Sequence, residues 1–357
     1  MLGPVTTPPR PDGLDLLVLG GTSWLGGTLA RDALHRGHRV TVLARGESGD
    51  PPEEVTWVRA DRTDPGAYDE VAEARWDAVL EVSWQPELVR GALAALGRAA
   101  EHWVYVSSSS VYLDEDVPDA DESAPLHPPH TDPGVVDAEH YPGAKVTCER
   151  LCVEALGPER TLLARAGLIG GYGDRSDRLG YWPARIARAA DHEPVLTPPR
   201  GTPVQVIDVE DLADWLLLCA EQRVAGAYNA VGEPTTMGAV LDGSRAAAGR
   251  EPRFVEAQDA WLRAQGVEPW SGPDSLALWV PQPEYAGFAS RRNDAAKAAG
   301  LRLRPLAATL QSTLTWERER GLGRPRKAGL RPERERELLD LLEDPPGQPA
   351  DEAVAGS

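Results

Sequence analysis

The segment LVLGGTSWLGG, residues 17–27, constrains the fold more than any other part of the chain. An apolar run that ends in two glycines and is followed by an amphipathic stretch from Trp24 to His35 is typical of a strand that turns tightly into a helix. The N-terminus of such a helix presents free backbone N–H groups and a partial positive charge. The sequence therefore predicts a turn that can bind a phosphate group.

This turn is an incomplete version of a dinucleotide-binding fingerprint. A G-x-x-G-x-x-G spacing requires glycine at positions 20, 23 and 26, and Ser23 occupies the middle position. The alternative interpretation is a tight strand-to-helix turn that holds no ligand. The candidate cofactor contacts in the turn are Gly20, Gly21, Thr22, Ser23, Trp24, Leu25 and Gly26.

From Leu14 onward, short apolar runs alternate with longer amphipathic ones, which predicts an α/β fold with a doubly wound parallel sheet. The regular pattern fades after Gly171 and returns in PVQVIDVEDLADWLLLCAEQ and GAYNAVG. We expect a sheet domain over 14–171 and 201–231, a smaller C-terminal cap over 172–200 and 232–316, a loose N-terminal tail over 1–13, and a charged, proline-rich C-terminal tail over 317–357.

Charge and cysteine content restrict the partners of the chain. There are 37 Lys and Arg residues against 56 Asp and Glu, a net charge of −19, which disfavours binding to nucleic acid or to an anionic membrane. The three cysteines form no disulfide framework, and no signal peptide or apolar run of about 18 residues is evident. We expect a cytoplasmic protein with a small-molecule substrate, and the sequence leaves a homodimer open.

The end of the second predicted strand, VTVLARGES, bears on the choice of nucleotide. An acidic residue there usually binds the ribose 2′-hydroxyl of NAD, whereas an arginine accommodates the 2′-phosphate of NADP. Arg45 precedes the first carboxylate, Glu47, so NADP is favoured and NAD is the alternative. Arg45 could also be a plain loop charge. Asp61, after the third strand, is a candidate for the adenine edge or an ordinary turn residue.

The stretch HYPGAKVTCER carries Tyr141 and Lys145 four residues apart, where Pro142 predicts the start of a helix. A phenol, with a reference pKa near 10, is a poor base, but a neighbouring ammonium and a nicotinamide cation favour the phenolate. Tyr141 could then exchange a proton with a substrate oxygen while hydride moves at the attached carbon, and Lys145 could orient the cofactor ribose. Ser108, in YVSSSSVY, could bind the same oxygen or be a polar strand exit.

Together these stretches resemble the short-chain dehydrogenase/reductase superfamily in its extended or atypical branch, the NAD-dependent epimerase/dehydratase family, over about residues 14–316. The resemblance rests on LGGTSWLGG, ADRTD, VYVSSSSVY, YPGAK, ARAGLIGGYGD, VIDVEDLADWL and YNAVGE. It implies a Rossmann domain that binds NAD(P), an adenine site at Asp61 and Arg62, a Ser108, Tyr141 and Lys145 triad, and a C-terminal substrate cap.

The chain departs from the resemblance at two points. Ser109 and Ser110 stand where dehydratases of the family carry an Asp-Glu pair, which disfavours sugar dehydration. Three residues beyond Arg165, Leu168 replaces the asparagine usual in sugar-nucleotide epimerases. The leading hypothesis is an NAD(P)-dependent oxidoreductase acting on a small carbonyl or carbinol compound. The alternatives are an NAD-dependent epimerase and a non-catalytic NAD(P)-binding sensor.

A metal site is disfavoured by the cysteine spacing. Cys148 and Cys152 lie four residues apart on a predicted helix, and the second matched pair that structural zinc sites use is absent. We interpret both as buried helix cysteines and predict no metal.

Overall fold

A computed structural model describes residues 13–343, and these divide into two units. The first unit contains residues 13–173, 203–235 and 283–305, and the second contains residues 174–202, 236–282 and 306–343. Residues 1–12 and 344–357, which belong to the two predicted tails, lie outside the described residues. Among the described residues, no helix combines the length and the apolar character that crossing a membrane requires.

In chain order, the strands are β1 Asp15–Leu19, β2 Arg39–Leu43, β3 Thr56–Val58, β4 Ala78–Glu81, β5 Trp103–Ser108, β6 Thr161–Ala166, β7 Leu168–Gly170, β8 Pro194–Thr197, β9 Pro203–Asp208, β10 Gly226–Ala230, β11 Pro234–Thr236, β12 Arg253–Glu256, β13 Glu268–Trp270, β14 Gly272–Pro273, β15 Ser275–Ala277 and β16 Ala328–Gly329. The α-helices are α1 Trp24–His35, α2 Asp69–Ala72, α3 Pro86–Leu96, α4 Tyr141–Leu156, α5 Arg178–Arg188, α6 Val209–Gln222, α7 Met237–Ala248, α8 Asp259–Ala264, α9 Asp294–Ala298, α10 Leu306–Arg320 and α11 Pro332–Glu343.

The first unit is built on a seven-stranded sheet in the order β10-β6-β5-β4-β1-β2-β3, in which every neighbouring pair is parallel. Parallel strands covered on both faces read as continuous apolar runs, and β1, DLLVL, follows this rule. Leu16 and Val18 enter the core on one face of the sheet, and Leu17 and Leu19 enter the core on the other. The predicted doubly wound, Rossmann-type parallel sheet is confirmed.

Strand order determines where a ligand can bind. β1 pairs with β2 on one side and with β4 on the other. Strands β2 and β3 therefore lie on one side of β1, and β4, β5, β6 and β10 lie on the other. In open α/β sheets, ligands bind at such a switch point, beyond the carboxyl ends of the strands. The glycine turn follows β1 at this position.

The second unit is helical with short strand pairs. Helices α5, α7 and α10 pack on one another, and β8 pairs in parallel with β12. Trp182 and Trp279 are fully buried there, and the Trp182 indole donates to the carbonyl of Ala277 at 2.8 Å. Both of these tryptophans pack within the unit.

Two segments differ from the expected boundaries. Residues 283–305, expected in the cap, belong to the sheet unit, and residues 317–343, expected as a tail, contribute the end of α10 and all of α11 to the second unit. The mixed charges of this stretch are not all solvated. Glu317 is 1% exposed and pairs with Arg324 at 3.0 Å and Arg326 at 2.6 Å, so the charges neutralise one another in the interior.

Candidate functional site

The glycine turn between β1 and α1 needs its glycines for close packing. Gly20 has φ +89°, a left-handed conformation that favours glycine. A Cβ on Gly21 would lie 2.7 Å from Val42 Cγ2, and a Cβ on Gly26 would lie 2.3 Å from the carbonyl oxygen of Gly20. Larger residues would therefore push the start of α1 away from the sheet.

Ser23 caps helix α1 in place of the missing glycine. Its hydroxyl accepts a hydrogen bond from the Gly26 N–H at 3.3 Å and donates to the Gly20 carbonyl at 2.8 Å. The backbone at Ser23 is extended, as at a helix N-cap. The departure from the fingerprint thus replaces a glycine with a side chain that closes the turn.

The turn retains free donors for an anion. Within residues 13–343, four N–H groups of the turn and the first helical positions have no protein acceptor, those of Gly21, Thr22, Trp24 and Leu25. Helix N-termini with such donors bind phosphate groups. The turn therefore fits the diphosphate of a dinucleotide.

Ser23 gives a prediction for stability. We expect Ser23→Ala to lower the free energy of unfolding by about 1 kcal/mol, because the cap is lost, and Ser23→Gly to lower it by only a few tenths. Urea unfolding of the three proteins measures this. Equal losses for the two variants would contradict the capping role.

The Trp24 side chain points from the turn to another segment of the same unit. Its indole N–H donates to the Tyr172 carbonyl at 2.9 Å, and a Cβ on Gly173 would lie 2.6 Å from that nitrogen. Trp24 therefore offers its backbone N–H to the turn, while its side chain fixes the position of residues 172–173.

Arg45 and Asp61 lie together at the ends of β2 and β3. Arg45 pairs with Asp61 at 3.3 Å and with Glu47 at 2.8 Å. Asp61 also accepts hydrogen bonds from the Thr63 N–H at 2.9 Å and the Thr63 hydroxyl at 2.7 Å, and these bonds, together with Arg45, lower the pKa of its carboxyl. Two carboxylates therefore surround the Arg45 guanidinium.

Arg62 is a correction to the sequence-based site. Its guanidinium is buried against Glu81, which it contacts through both carboxylate oxygens, and it donates to Tyr68 Oη at 2.9 Å and to the Leu88 carbonyl at 2.8 Å. Burial alone would lower the pKa of Arg62, but the effect of the Glu81 carboxylate is larger, and the pKa is raised. The guanidinium is therefore used inside the fold, and only the backbone of Arg62 remains for a cofactor.

Glu81 could have been found from the sequence. It is the one charged residue of β4, AVLE, and it is fully buried at the end of that strand. A buried carboxylate requires a cationic partner. The sequence does not indicate which of the many arginines fills that role.

Lys145 lies one turn into α4, which begins at Tyr141 with Pro142 in its first turn, as predicted. The side chain is 3% exposed, and Nζ donates to the Val106 carbonyl at 2.6 Å and to the Ser83 carbonyl at 3.3 Å. An ammonium has three N–H donors, so one donor remains for a ligand.

Tyr141 lies beside this lysine, and Ser108 ends a strand against which α4 packs. Lys145 Nζ lies 5.9 Å from the centroid of the Tyr141 ring, which stands edge-on to Trp84 at 5.3 Å. Ser108 ends β5, and its hydroxyl accepts a hydrogen bond from the Ser110 N–H at 3.1 Å. Helix α4 packs against β5 and against the 3₁₀ turn Ser109–Val111, which brings the three predicted catalytic residues to one region of the sheet unit.

A buried network, missed by sequence reasoning, lies beside these residues. Glu149, on the same helical face as Lys145, accepts from the Ser107 hydroxyl at 2.6 Å and from two nitrogens of Arg165 at 3.1 and 2.9 Å. Arg165 also donates to Tyr112 Oη at 3.1 Å. The network ties α4 to the ends of β5 and β6.

The cysteines of α4 are internal. Cys148 and Cys152 are free and buried, and burial raises the pKa of the Cys148 thiol to about 11. The prediction of buried helix cysteines is confirmed.

A comparison with protein-family profiles gives one match. The profile of the NAD dependent epimerase/dehydratase family matches residues 16–231, more than half of the chain. A comparison with curated proteins gave no match.

Among solved structures, the chain is similar to a candidate epimerase from Burkholderia cenocepacia J2315, with 21% identity, a TM-score of 0.65, and coverage of 87% of this chain and 100% of that one. It is similar to the UDP-glucose 4-epimerase of Thermus thermophilus in complex with NAD, with 20% identity, a TM-score of 0.60, and coverage of 85% and 99%. It is also similar to the UDP-N-acetylglucosamine 4-epimerase of Bacillus cereus, with 15% identity, a TM-score of 0.62, and coverage of 86% and 100%. At these identities, the likeness is one of fold.

Proposed function

Because the chain belongs to the NAD dependent epimerase/dehydratase family, a family of enzymes, we propose that it is an NAD-dependent epimerase of a small-molecule secondary alcohol. The observation that supports this proposal is that Lys145 lies beside the Tyr141 ring on α4, which packs against β5, the strand that Ser108 ends. The structural neighbours named as epimerases favour this reaction over the simple reductase that the sequence favours. The retained tyrosine and lysine argue against a non-catalytic sensor.

The cofactor of the proposed reaction is NAD. The four free N–H groups of the turn would hold its diphosphate, Asp61 would face the adenine end, and the third donor of Lys145 would bind a ribose hydroxyl. Bound NAD would supply a reversible hydride acceptor for the alcohol carbon. The family and the NAD-bound neighbour give no support to the NADP preference predicted from Arg45.

Tyr141 moves the proton in this mechanism. As a phenolate, it takes the proton of the substrate hydroxyl when the alcohol is oxidised, and it gives that proton back to the oxygen when the ketone is reduced on its other face. The Lys145 ammonium beside the ring favours the phenolate. The Ser108 hydroxyl donates a hydrogen bond to the same substrate oxygen and so orients the C–O bond of the substrate.

The site limits the reaction and the substrate. Ser109 and Ser110 cannot supply the acid and base that loss of water requires, so we do not propose a dehydratase. The relatives act on UDP-sugars by name, which makes UDP-sugars the first substrates to test, although Leu168 departs from their usual asparagine. A homodimer remains a proposal, and light scattering of the purified protein would test it.

Isotope labelling tests the proposed reaction. A substrate carrying deuterium at the reacting carbon should give an epimer that keeps the label, because the hydride leaves and returns without meeting water. Incorporation of solvent hydrogen at that carbon would contradict the proposal. Net formation of ketone with consumption of free NAD would favour a dehydrogenase instead.

The carboxylates around Arg45 give a prediction about cofactor choice. We expect NAD to bind more tightly than NADP, because Glu47 and Asp61 already neutralise Arg45 and repel a 2′-phosphate. The double variant Glu47→Gln and Asp61→Asn should move the ratio of the two dissociation constants toward NADP by about 5–10-fold, as expected for two exposed charges. Calorimetric titration measures both constants. Tighter NADP binding by the unaltered protein would restore the interpretation based on Arg45 alone.

A further inference from the structure

Lys145 is a buried cation whose charge is not balanced by an ion pair. Its ammonium contacts two backbone carbonyls, and no carboxylate in residues 13–343 forms an ion pair with it. The buried carboxylates of Glu81 and Glu149 are each paired with an arginine of their own. Burying an ammonium without such a partner is unfavourable, so other groups must stabilise the charge.

Aromatic rings supply the remaining contacts of this ammonium. Lys145 Nζ lies 4.8 Å from the centroid of the Tyr105 ring and 5.9 Å from that of Tyr141. A cation within about 6 Å of a ring centroid is attracted by the negative face of the ring, and the attraction increases when water is excluded. Tyr105 is the closer of the two rings and is fully buried.

We propose that Tyr105 is a positioning residue, which keeps the Lys145 side chain charged and fixed beside Tyr141 through the face of its ring. The consequence for catalysis rests on the proposed function, since Lys145 must be an ammonium to favour the Tyr141 phenolate. The contact itself is independent of any substrate.

The ring of Tyr105, and not its hydroxyl, performs this role. Burial raises the pKa of the Tyr105 hydroxyl well above its usual value, and the nearby Cys148 thiol adds to the shift. A hydroxyl that stays neutral contributes no charge to Lys145. Phenylalanine at position 105 should therefore serve as well as tyrosine.

The groups that face Lys145 can be enumerated from each neighbouring element. Tyr105 and the Val106 carbonyl come from β5, the Ser83 carbonyl follows β4, and Tyr141 comes from α4 itself. The Cys148 thiol of α4 interacts electrostatically with Lys145 and also with Glu81 and Glu149. Glu81 and Glu149 remain paired with Arg62 and Arg165 in every variant below. Loss of the Tyr105 ring should therefore act on Lys145 directly.

The lysine content makes a direct test practical. The chain contains three lysines, Lys145, Lys297 and Lys327. In protein labelled with ¹³C at the lysine side chains, Lys297→Arg and Lys327→Arg assign the other two signals. The pH at which the Lys145 signal titrates can then be measured without substrate or cofactor.

We expect Tyr105→Leu to lower the titration midpoint of Lys145 by about one pH unit, the size expected for a desolvated cation–π contact, and Tyr105→Phe to leave it unchanged. Replacing Tyr105 with pentafluorophenylalanine keeps the shape of the ring but withdraws electron density from its face, and should reproduce the shift of the leucine variant. This replacement also decides the matter if the leucine variant does not fold. The control is Tyr285→Leu, which removes a tyrosine ring that packs on Phe288 and should leave the Lys145 midpoint unchanged. An unchanged midpoint in the fluorinated protein would overturn the proposal.

A kinetic readout separates this inference from the proposed function. In Tyr105→Leu, the pH range of high kcat should narrow by about one unit, with KM little changed, and Tyr105→Phe should restore the full range. If the unaltered protein shows no turnover that depends on Tyr141, the proposed function fails, while the lysine titration still tests the role of Tyr105.

Discussion

Tyr141→Phe should lower kcat by a factor of about 10²–10⁴ and leave the affinity for NAD and the stability of the protein almost unchanged. The reason is that the variant keeps the ring beside Lys145 and Trp84 but loses the oxygen that exchanges a proton with the substrate in the proposed mechanism. Steady-state kinetics on the substrate used in the labelling experiment measures the loss. Calorimetry with NAD and urea unfolding check the two quantities that should stay constant.

Tyr285→Phe is the matched control for this experiment. Its ring packs edge-on against Phe288 in the segment 283–305, and we assign its hydroxyl no role. The control should keep full activity. Turnover by Tyr141→Phe at the rate of the control would show that Tyr141 is not the acid and base of the reaction.

Arg165→Met should lower the free energy of unfolding by about 3–5 kcal/mol, the second large effect that the structure predicts. Arg165 donates from two nitrogens to Glu149, and the side chains are only 6% and 5% exposed. Removing the guanidinium leaves the Glu149 carboxylate buried without a counter-ion on α4, the helix that carries Lys145. Urea unfolding at neutral pH measures the change.

Two further proteins identify the cause of that loss. The double variant Glu149→Leu and Arg165→Met, which removes both charges, should recover much of the stability, because an apolar pair of similar volume can replace a buried ion pair. Arg36→Met removes a partly exposed arginine that pairs with Glu221 at 3.0 Å, and should cost at most about 1 kcal/mol. If Arg165→Met cost no more than Arg36→Met, the pair would not hold α4 in place.

The parts of the fold and site that the sequence predicted are those with local signals. The apolar strand and glycines of residues 17–27 predicted both β1 and the turn, since close packing at Gly21 and Gly26 leaves no room for a side chain. Pro142 predicted the start of α4 and the one-turn spacing of Tyr141 and Lys145, because proline fits the first turn of a helix. Each of these inferences needs only residues close in the chain.

The parts that the sequence did not predict depend on contacts between distant segments. The use of the Arg62 side chain inside the fold was not predicted, because its partner, Glu81, comes from β4, which is distant in the chain. Arg45 looked like a free cation because Asp61 reaches it from the end of β3. The chain returns to the sheet unit at residues 283–305, after residues 236–282 of the second unit. No change in composition marks that return.

A crystal structure of the protein with NAD tests the central claim most directly. We predict that the diphosphate accepts hydrogen bonds from the four free N–H groups of the turn, that Lys145 Nζ contacts a ribose hydroxyl, and that the hydroxyls of Tyr141 and Ser108 both face the nicotinamide ring. A complex in which the Tyr141 hydroxyl turns away from the nicotinamide, or in which the diphosphate binds elsewhere than at the glycine turn, would contradict it.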